Sequence, residues 1–563
     1  MTSTGAPRVL SGAAHYFRSL PEQWPDIMRS LRAMGLDTVE TYLAWNVHEP
    51  REGRWERLDE IRRFLDDAHA EGLRTIVRPG PYICAEWDNG GLPSWLTGRL
   101  GRRVRSSDPG YLAAIERYLD QVVPQFADHP SLLMVQVENE YGSFGTDRTY
   151  LTALADGLRR RGVTVPLFTS DGWTDACLTG GMIPGIPATV NFGSQAEDAF
   201  AALARHRPND PPFCMEFWNG WFDHWGRPHV TRAADDAARA LQEILEAGGS
   251  VNLYMAHGGT NFGTGAGANH HDHAGADVYL PTVTSYDYDA ALDERGAPTE
   301  KFFAFREVLE RFRHRQERAE LPSLHPLVSP VVMPLVDEAS VVFTERGAFP
   351  LPPAFEDLGI DHGLVRYRTA VPGPRVPLPL QLVELRDRGH VLVDDRLVAI
   401  VEGSGAPADL PVVGGPARVD VIVESMGRVN YGPRLGGTKG LGGLRQDNQW
   451  LHGYAVSVHE LPQVHELEWT PVVAPPAPTG PRYYRATVDL PEQADGYLCI
   501  PGGSKGYVWF NDLCLGRYWN QGPQQRLYVP WPCTRAGVNT VTVLELDGLA
   551  SLDVSLHDAP ALG

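Results

Sequence analysis

Glu140 and Glu216 each close a short apolar run, Leu132-Leu133-Met134-Val135-Gln136-Val137-Glu138-Asn139-Glu140 and Pro212-Phe213-Cys214-Met215-Glu216. A continuous apolar run of that length, bounded by turn residues, reads as a buried strand. A carboxylate at the end of such a strand is expensive to desolvate without partners. Aromatic residues follow both: Tyr141 after the first, and Phe217, Trp218, Trp221 and Trp225 after the second. Two acids framed by flat apolar surfaces are what cleavage of a glycosidic bond requires, one carboxyl to attack, one to protonate the departing oxygen, and rings to stack on a sugar. One strand-end glutamate alone is explained equally well as the partner of a barrel arginine such as Arg78. Two of them, with Asn139 directly before Glu140, favour catalysis.

Remote residues can meet only if the fold delivers them to one place. Up to about residue 315, strand-like and helix-like segments alternate. The strands expected are 9–13, 38–42, 74–77, 132–137, 167–169, 189–192, 213–216 and 251–255. Between them lie amphipathic stretches such as Leu58, Ile61, Phe64, Leu65 and Ala68, which share one helical face. Asp108 is a good N-cap with Pro109 at the first helical position, ahead of Leu112, Ile115, Leu119 and Val122. Eight β/α alternations predict an α/β fold of the (β/α)8 TIM barrel type. A doubly wound open sheet is the second reading, but no Gly-rich phosphate loop follows the first strand. In a barrel, Glu140 at strand 4 and Glu216 at strand 7 both reach the C-terminal face.

After Pro322 the pattern becomes short period-2 runs, such as Val391-Leu392-Val393 and Val419–Val423, between Gly/Pro turns. Val371–Pro379 and Pro471–Pro481 read as crossings or linkers. Tyr507-Val508-Trp509-Phe510, Asn511-Asp512 and Leu513-Cys514-Leu515 read as a tight hairpin, with later strands at Leu527–Val529 and Thr540–Leu546. The expected organisation is a catalytic barrel over 1–320 and two β-sandwich, jelly-roll-like domains over 321–470 and 471–563.

The net charge of −20 argues against a nucleic-acid partner and against anionic membranes. No basic segment followed by an apolar stretch opens the chain, and no run of about 20 apolar residues occurs. A cytoplasmic protein with reduced thiols is therefore expected. The six cysteines show no paired metal spacing, and a Cys499–Cys514 or Cys514–Cys533 bridge has no support from spacing. His270-His271-Asp272-His273 offers four potential zinc ligands, but adjacent residues rarely converge on one tetrahedral ion, and a solvated loop after strand 8 is expected.

Around these residues the chain resembles glycoside hydrolase family 35, the β-galactosidases. The resemblance lies in Val137-Glu138-Asn139-Glu140-Tyr141-Gly142, Thr41–Pro50, Arg78–Trp87, Glu216–Trp221, Thr284–Ala290, and Gly516-Arg517-Tyr518-Trp519 with Gly522-Pro523-Gln524. It implies a retaining exo-β-galactosidase working by double displacement, with Glu216 as nucleophile and Glu140 as acid/base. By the same resemblance Tyr42, the Cys84-Ala85-Glu86 segment and Tyr288 hold galactose, and no metal or other cofactor is needed. Asn139 has the chemistry to donate to the sugar 2-hydroxyl, and Glu86 to accept from two hydroxyls. Trp218 and Trp221 suit stacking on a sugar face or, nearly as well, packing within the loop after strand 7, and Cys84 reads as a small buried hydrophobe rather than a nucleophile. Gly263–Gly267 departs from the family, in which an aromatic and an Asn are more usual. The partner implied is a β-galactoside, and the β domains offer surfaces for a homodimer. Two other functions fit less well: a retaining barrel glycosidase for another sugar (an exo-β-glucosaminidase or β-glucosidase) and a non-catalytic carbohydrate-binding protein.

Overall fold

Eight parallel strands form where the apolar runs lie: β1 (Leu10–Ala13), β2 (Thr38–Tyr42), β3 (Arg74–Arg78), β4 (Leu132–Gln136), β5 (Leu167–Gly172), β6 (Ala188–Phe192), β7 (Phe213–Trp218) and β8 (Ser250–Tyr254). In the computed structural model, which describes residues 8–273, 276–312, 319–403, 408–472 and 480–563, they pair in sequence order. The circle closes where Leu10, Ser11 and Gly12 of β1 pair with Val251, Asn252 and Leu253 of β8. The doubly wound alternative is thereby excluded. Each strand is followed by a helix; α1 (Trp24–Met34), α2 (Leu58–Ala70) and α3 (Pro109–Val122) are the longer ones after β1, β2 and β3. The stripe in α2 packs as its periodicity requires, with Ile61, Phe64, Leu65 and Ala68 buried. Asp108 caps α3, accepting from the Gly110 and Tyr111 amides. Gly12 lets β1 pass close to its neighbours, since a Cβ there would stand 2.6 Å from the Ala256 side chain.

His270–His273 lies not in a loop but in β9 (Ala268–His273), which pairs antiparallel with β10 (Ala276–Pro281). Two extended segments this close in the chain satisfy each other's backbone groups, which a solvated loop would leave to water. Asn269 of β9 reaches the pocket where the barrel's strand ends meet.

Beyond the barrel the structure is all-β, and its helices among the described residues are single 3-10 turns. Val371–Pro379 is not a crossing: it sits inside one long strand, Leu364–Arg386. Register slips between Val371 and Arg375, Arg375 and Leu378, and Pro379 and Leu380 accommodate the prolines, which cannot donate to a regular ladder. The strand pairs early with Tyr454–His459 and late with Gly440–Gln446, while Ala408–Glu424 follows it from Leu364 to Leu382. The sheet thus wraps one core that includes Val365, Tyr367, Leu382, Val421 and Leu444. In the last region a four-stranded and a six-stranded sheet enclose a second core with Leu498, Val508, Phe510, Val541 and Val554. Lys505–Phe510 and Leu513–Trp519 form the expected hairpin around Asn511-Asp512. Strands Val331–Pro334 and Asp337–Ser340 pair with Asp553–His557 and Arg482–Leu490, so the chain leaving the barrel first joins the sheets of its far end. All six cysteines are free thiols, and residues 473–479 of the second Pro-rich stretch lie outside the described residues.

Candidate active site

The strand ends converge on a cavity of about 210 Å3 at the C-terminal mouth. Tyr42, Cys84, Ala85, Glu86, Asn139, Glu140, Glu216, Trp218 and Tyr288, singled out from sequence, all line it. Trp221 lines it too, 39% exposed at the rim and stacked on Phe222. Gly220 lets the loop after β7 meet the Tyr288 loop, because a Cβ would fall 1.8 Å from the Tyr288 carbonyl oxygen.

Glu216 sits within β7, and three donors converge on it. Arg78 Nη2 at the end of β3 reaches Oε1 at 2.5 Å, the Tyr42 hydroxyl reaches Oε1 at 2.9 Å, and Trp218 Nε1 reaches Oε2 at 3.2 Å. The arginine is fully buried, so the pair is a charge-assisted bond shielded from water. The partner that would have explained a purely structural glutamate is therefore present. It does not compete with chemistry, because a nucleophile of this kind must be an anion held in place.

Glu140 is treated differently. β4 ends at Gln136, and the chain then passes through Glu138 and Glu140 in the left-handed region, at φ 60° and 47°. Such backbone is costly for non-glycine residues and clusters at functional sites. Arg105 holds the turn: its Nε and Nη2 reach the two Glu138 carboxylate oxygens at 2.8 and 2.7 Å, and Nη2 also donates to the Asn139 carbonyl at 2.7 Å. The Glu140 carboxyl receives one amide donor, Asn191 Nδ2 at 3.0 Å. Burial, and then the charge of Glu216, push it up to about 8. One carboxyl clamped by a guanidinium beside one that keeps its proton gives the two acids separate tasks.

That proton has a consequence for stability. An unfolded Glu140 ionises near 4.5, the folded one near 8. Between those values the native state binds the extra proton, so stability contributed by this group falls as pH rises through the window. Glu140→Gln is expected to flatten the decline in melting temperature between pH 5 and pH 8, with a gain at pH 8 of at least about 1 kcal/mol. Calorimetric melting across that range checks it; parallel curves for the two proteins would remove the assignment.

Asn139 Oδ1 accepts from Arg78 and Gln136 at 2.6 and 3.1 Å and lies 3.0 Å from the Tyr42 hydroxyl, whose one hydrogen is shared between it and Glu216, and its Nδ2 donates to the Ile83 carbonyl at 3.2 Å. The amide is thus oriented with one hydrogen left for a ligand. Glu86 accepts from the Tyr286 hydroxyl, and burial, offset in part by that hydroxyl and by Arg18, pushes it up to about 7. Cys84 is buried, and burial drives its thiol well above the ordinary range, an inert side chain rather than a nucleophile.

Several lining or supporting groups carried no clear sequence signal. Arg78 was visible as a candidate ion-pair partner and as the first residue of the Arg78–Trp87 motif, without a role at the nucleophile, and Asn191 only as a member of the strand expected at 189–192. Tyr254 closes β8, Phe222 comes from the loop after β7, and Asn269 comes from β9. Tyr431 enters from the first β region, which barrel periodicity cannot foresee. It lies 39% exposed across the mouth.

Unlike carboxyls lining one aromatic-walled cavity, at the open end of a (β/α)8 barrel, define the class of barrel glycoside hydrolases. Sequence comparison makes the class specific. Residues 2–312 match the family described as "Glycosyl hydrolases family 35", and the chain belongs to it. Residues 352–459 and 481–539 match "Beta-galactosidase, first all-beta domain" and "Beta-galactosidase, galactose-binding domain". A "Beta-galactosidase" of Xanthomonas manihotis is 39% identical over 540 residues, covering 93% of this chain and 88% of that protein. The "Beta-galactosidase" of Homo sapiens is 36% identical over 584 residues, covering 96% and 85%.

Proposed function

We propose that the protein is a retaining exo-β-galactosidase that releases terminal non-reducing β-D-galactose. The observation that carries the reading is the unequal pair, Glu216 held by Arg78, Tyr42 and Trp218 and Glu140 holding its proton in the same cavity. Glu216 attacks the anomeric carbon while Glu140 gives its proton to the glycosidic oxygen, and the aglycone leaves. Esterification removes the Glu216 charge that helped hold the Glu140 proton, so Glu140 now suits the role of base. It takes a proton from water as the water oxygen attacks the anomeric carbon, the bond to Glu216 breaks to return its carboxylate, and galactose leaves with its configuration retained. The cavity is smaller than the roughly 300–1,000 Å3 of drug-sized sites, in keeping with one sugar ring at the closed end.

Because Glu140 must be protonated for the first step, kcat/KM is expected to fall as pH rises through about 8, and Glu140→Gln should lack that alkaline limb in whatever activity it keeps. The experiment that tests the whole reading is trapping with a 2-fluoro-galactosyl donor followed by peptide mapping. A galactosyl ester on Glu216 is expected; a label elsewhere, or an inverted product anomer by NMR, would overturn it. The free thiols suit a reducing compartment, and cytoplasmic location, assembly as a homodimer through the β regions and a jelly-roll form for those regions belong to the same proposal.

A further inference from the structure

The turn that carries Cys84, Ala85 and Glu86 consists of three successive non-glycine residues at positive φ, 58°, 56° and 50°. L-residues avoid this conformation, and a run of three persists only where the surroundings over-determine it. Part of the restraint comes from the barrel. Trp87 N donates to the Cys84 carbonyl at 3.1 Å, Gly267 N donates to the Glu86 carbonyl at 2.9 Å, and Arg18 donates to the Ala85 carbonyl.

The rest comes from a segment of the first β region about 340 residues further along the chain. Residues 427–431 thread between this turn and β9. Ala268 N donates to the Arg428 carbonyl at 3.0 Å, and Asn430 N donates to the Ala268 carbonyl at 2.9 Å. Asn430 Nδ2 lies 3.6 Å from Cys84 Sγ, and the Tyr82 hydroxyl donates to the Asn430 carbonyl at 2.6 Å. Asp88, two residues past Glu86, is buried and accepts from Arg428 N at 2.5 Å and from Arg428 Nη1 at 3.3 Å. The same Nη1 also donates to the Asp361 carboxylate at 3.0 Å, while Nε donates to Glu356 at 2.9 Å and Nη2 to the Asp361 carbonyl at 2.9 Å, both residues lying in the β region. Asp88, Asp361 and His362 lie close enough together to gather round a cation, and the guanidinium bonded to both aspartates is that cation. The fit leaves no slack: a Cβ at Gly427 would stand 2.5 Å from the Ala266 carbonyl oxygen, and one at Gly90 would stand 2.3 Å from the Tyr82 ring.

We infer that Arg428 and Asn430 are positioning residues for sugar recognition, holding the left-handed turn so that Ala85 and the Glu86 carboxyl face the cavity. The first β region is then part of the active site rather than a scaffold appended to it. The inference rests on the reading of Glu86 as the acceptor of galactose hydroxyls. A guanidinium that bonds Asp88 on one side and Glu356 and Asp361 on the other fixes the angle between the two regions, and a lysine has one point charge where this site uses a planar fork.

The test is a double-mutant cycle in the full chain, with Glu86→Gln as one partner and Asn430→Ala, Asp88→Asn or Arg428→Lys as the other. Each second-partner variant alone is expected to raise KM and the galactose inhibition constant by about 10-fold to 100-fold, the scale of a misplaced binding group. In the Glu86→Gln background the same changes should add less than about 2-fold, because coupled residues are not additive. Asn430→Ala should melt within a few degrees of wild type, which separates positioning from stability. Full additivity, or lowered melting with unchanged KM, would overturn the inference. Where Arg428→Lys does not fold, the Asn430 and Asp88 variants decide. If the wild type does not turn over nitrophenyl galactosides the functional reading fails first, and the cycle is then run on whichever glycoside is hydrolysed.

Discussion

Glu216→Gln should lower kcat on aryl β-galactosides by at least about 10⁴-fold, equivalent to about 5.5 kcal/mol of lost transition-state stabilisation. The amide keeps the shape of the side chain, so galactose affinity is expected to stay within about tenfold of wild type; it cannot form the galactosyl ester. The substitution also takes the counter-charge from Arg78, which is fully buried. Breaking a buried pair costs about 3–5 kcal/mol because one charge is left without a partner. Here Glu40 lies 3.9 Å from the other arm of Arg78 and is raised by burial to about 7, so it can ionise and relieve part of that cost. Two readouts follow. Steady-state turnover should vanish to the level of residual wild-type contamination, and the melting temperature should fall by less at pH 8 than at pH 6, since losing the Glu216 charge lets Glu40 ionise at lower pH and the resulting gain is complete only above about 7, where the wild-type Glu40 also ionises. Turnover above a hundredth of wild type would remove Glu216 from the nucleophile's role. A melting decrement independent of pH would show that Glu40 does not share Arg78.

Much of the site was legible because its chemistry sits where period and strand ends intersect. Glu140 and Glu216 follow apolar runs, so counting strands was enough to place both at one face, and Tyr42 was added by the family resemblance. Trp218 and Tyr288 stood in motifs long enough to be read with their neighbours. What stayed hidden depends on pairings that no local pattern encodes. Tyr431, Arg428 and Asn430 lie in a β region whose own periodicity describes only its sheet, and their meeting with Cys84 and Asp88 is a product of tertiary docking. The histidine run misled because side-chain polarity suggests solvent, while β9 forms from backbone pairing with β10. Prolines at 372–379 suggested a crossing, yet a strand that slips register where each proline falls can carry them. Left-handed backbone at Cys84–Glu86 and at Glu138 and Glu140 could not be inferred from residue type, since none of these is glycine. Strain of that kind is imposed by the packed surroundings, and Arg105 and Arg428 are the side chains that impose it here.

Glu140→Ala should separate the two half-reactions. With alkyl or weakly acidic aryl leaving groups, loss of the proton donor is expected to cost about 10²–10⁴-fold in kcat/KM. A dinitrophenyl galactoside needs no such help, so its galactosyl-enzyme should still form at a rate close to wild type. Hydrolysis of that ester then lacks its base, the intermediate accumulates, and a burst of one dinitrophenolate per active site should precede slow turnover. The shortened side chain leaves space beside Asn191, whose amide otherwise donates to Glu140 at 3.0 Å. Azide fits there without needing deprotonation, attacks the anomeric carbon, and displaces Glu216 as a carboxylate. Turnover of the activated substrate should therefore rise with azide concentration, by about tenfold or more if the base accounts for the lower part of the general acid–base range. The product should be β-galactosyl azide, its configuration retained through two inversions. Neither effect should occur in Glu216→Gln, which forms no ester for azide to intercept. No burst, no azide response, or an α-configured azide product would each remove Glu140 from the acid/base role and leave its raised pKa as a property of burial alone.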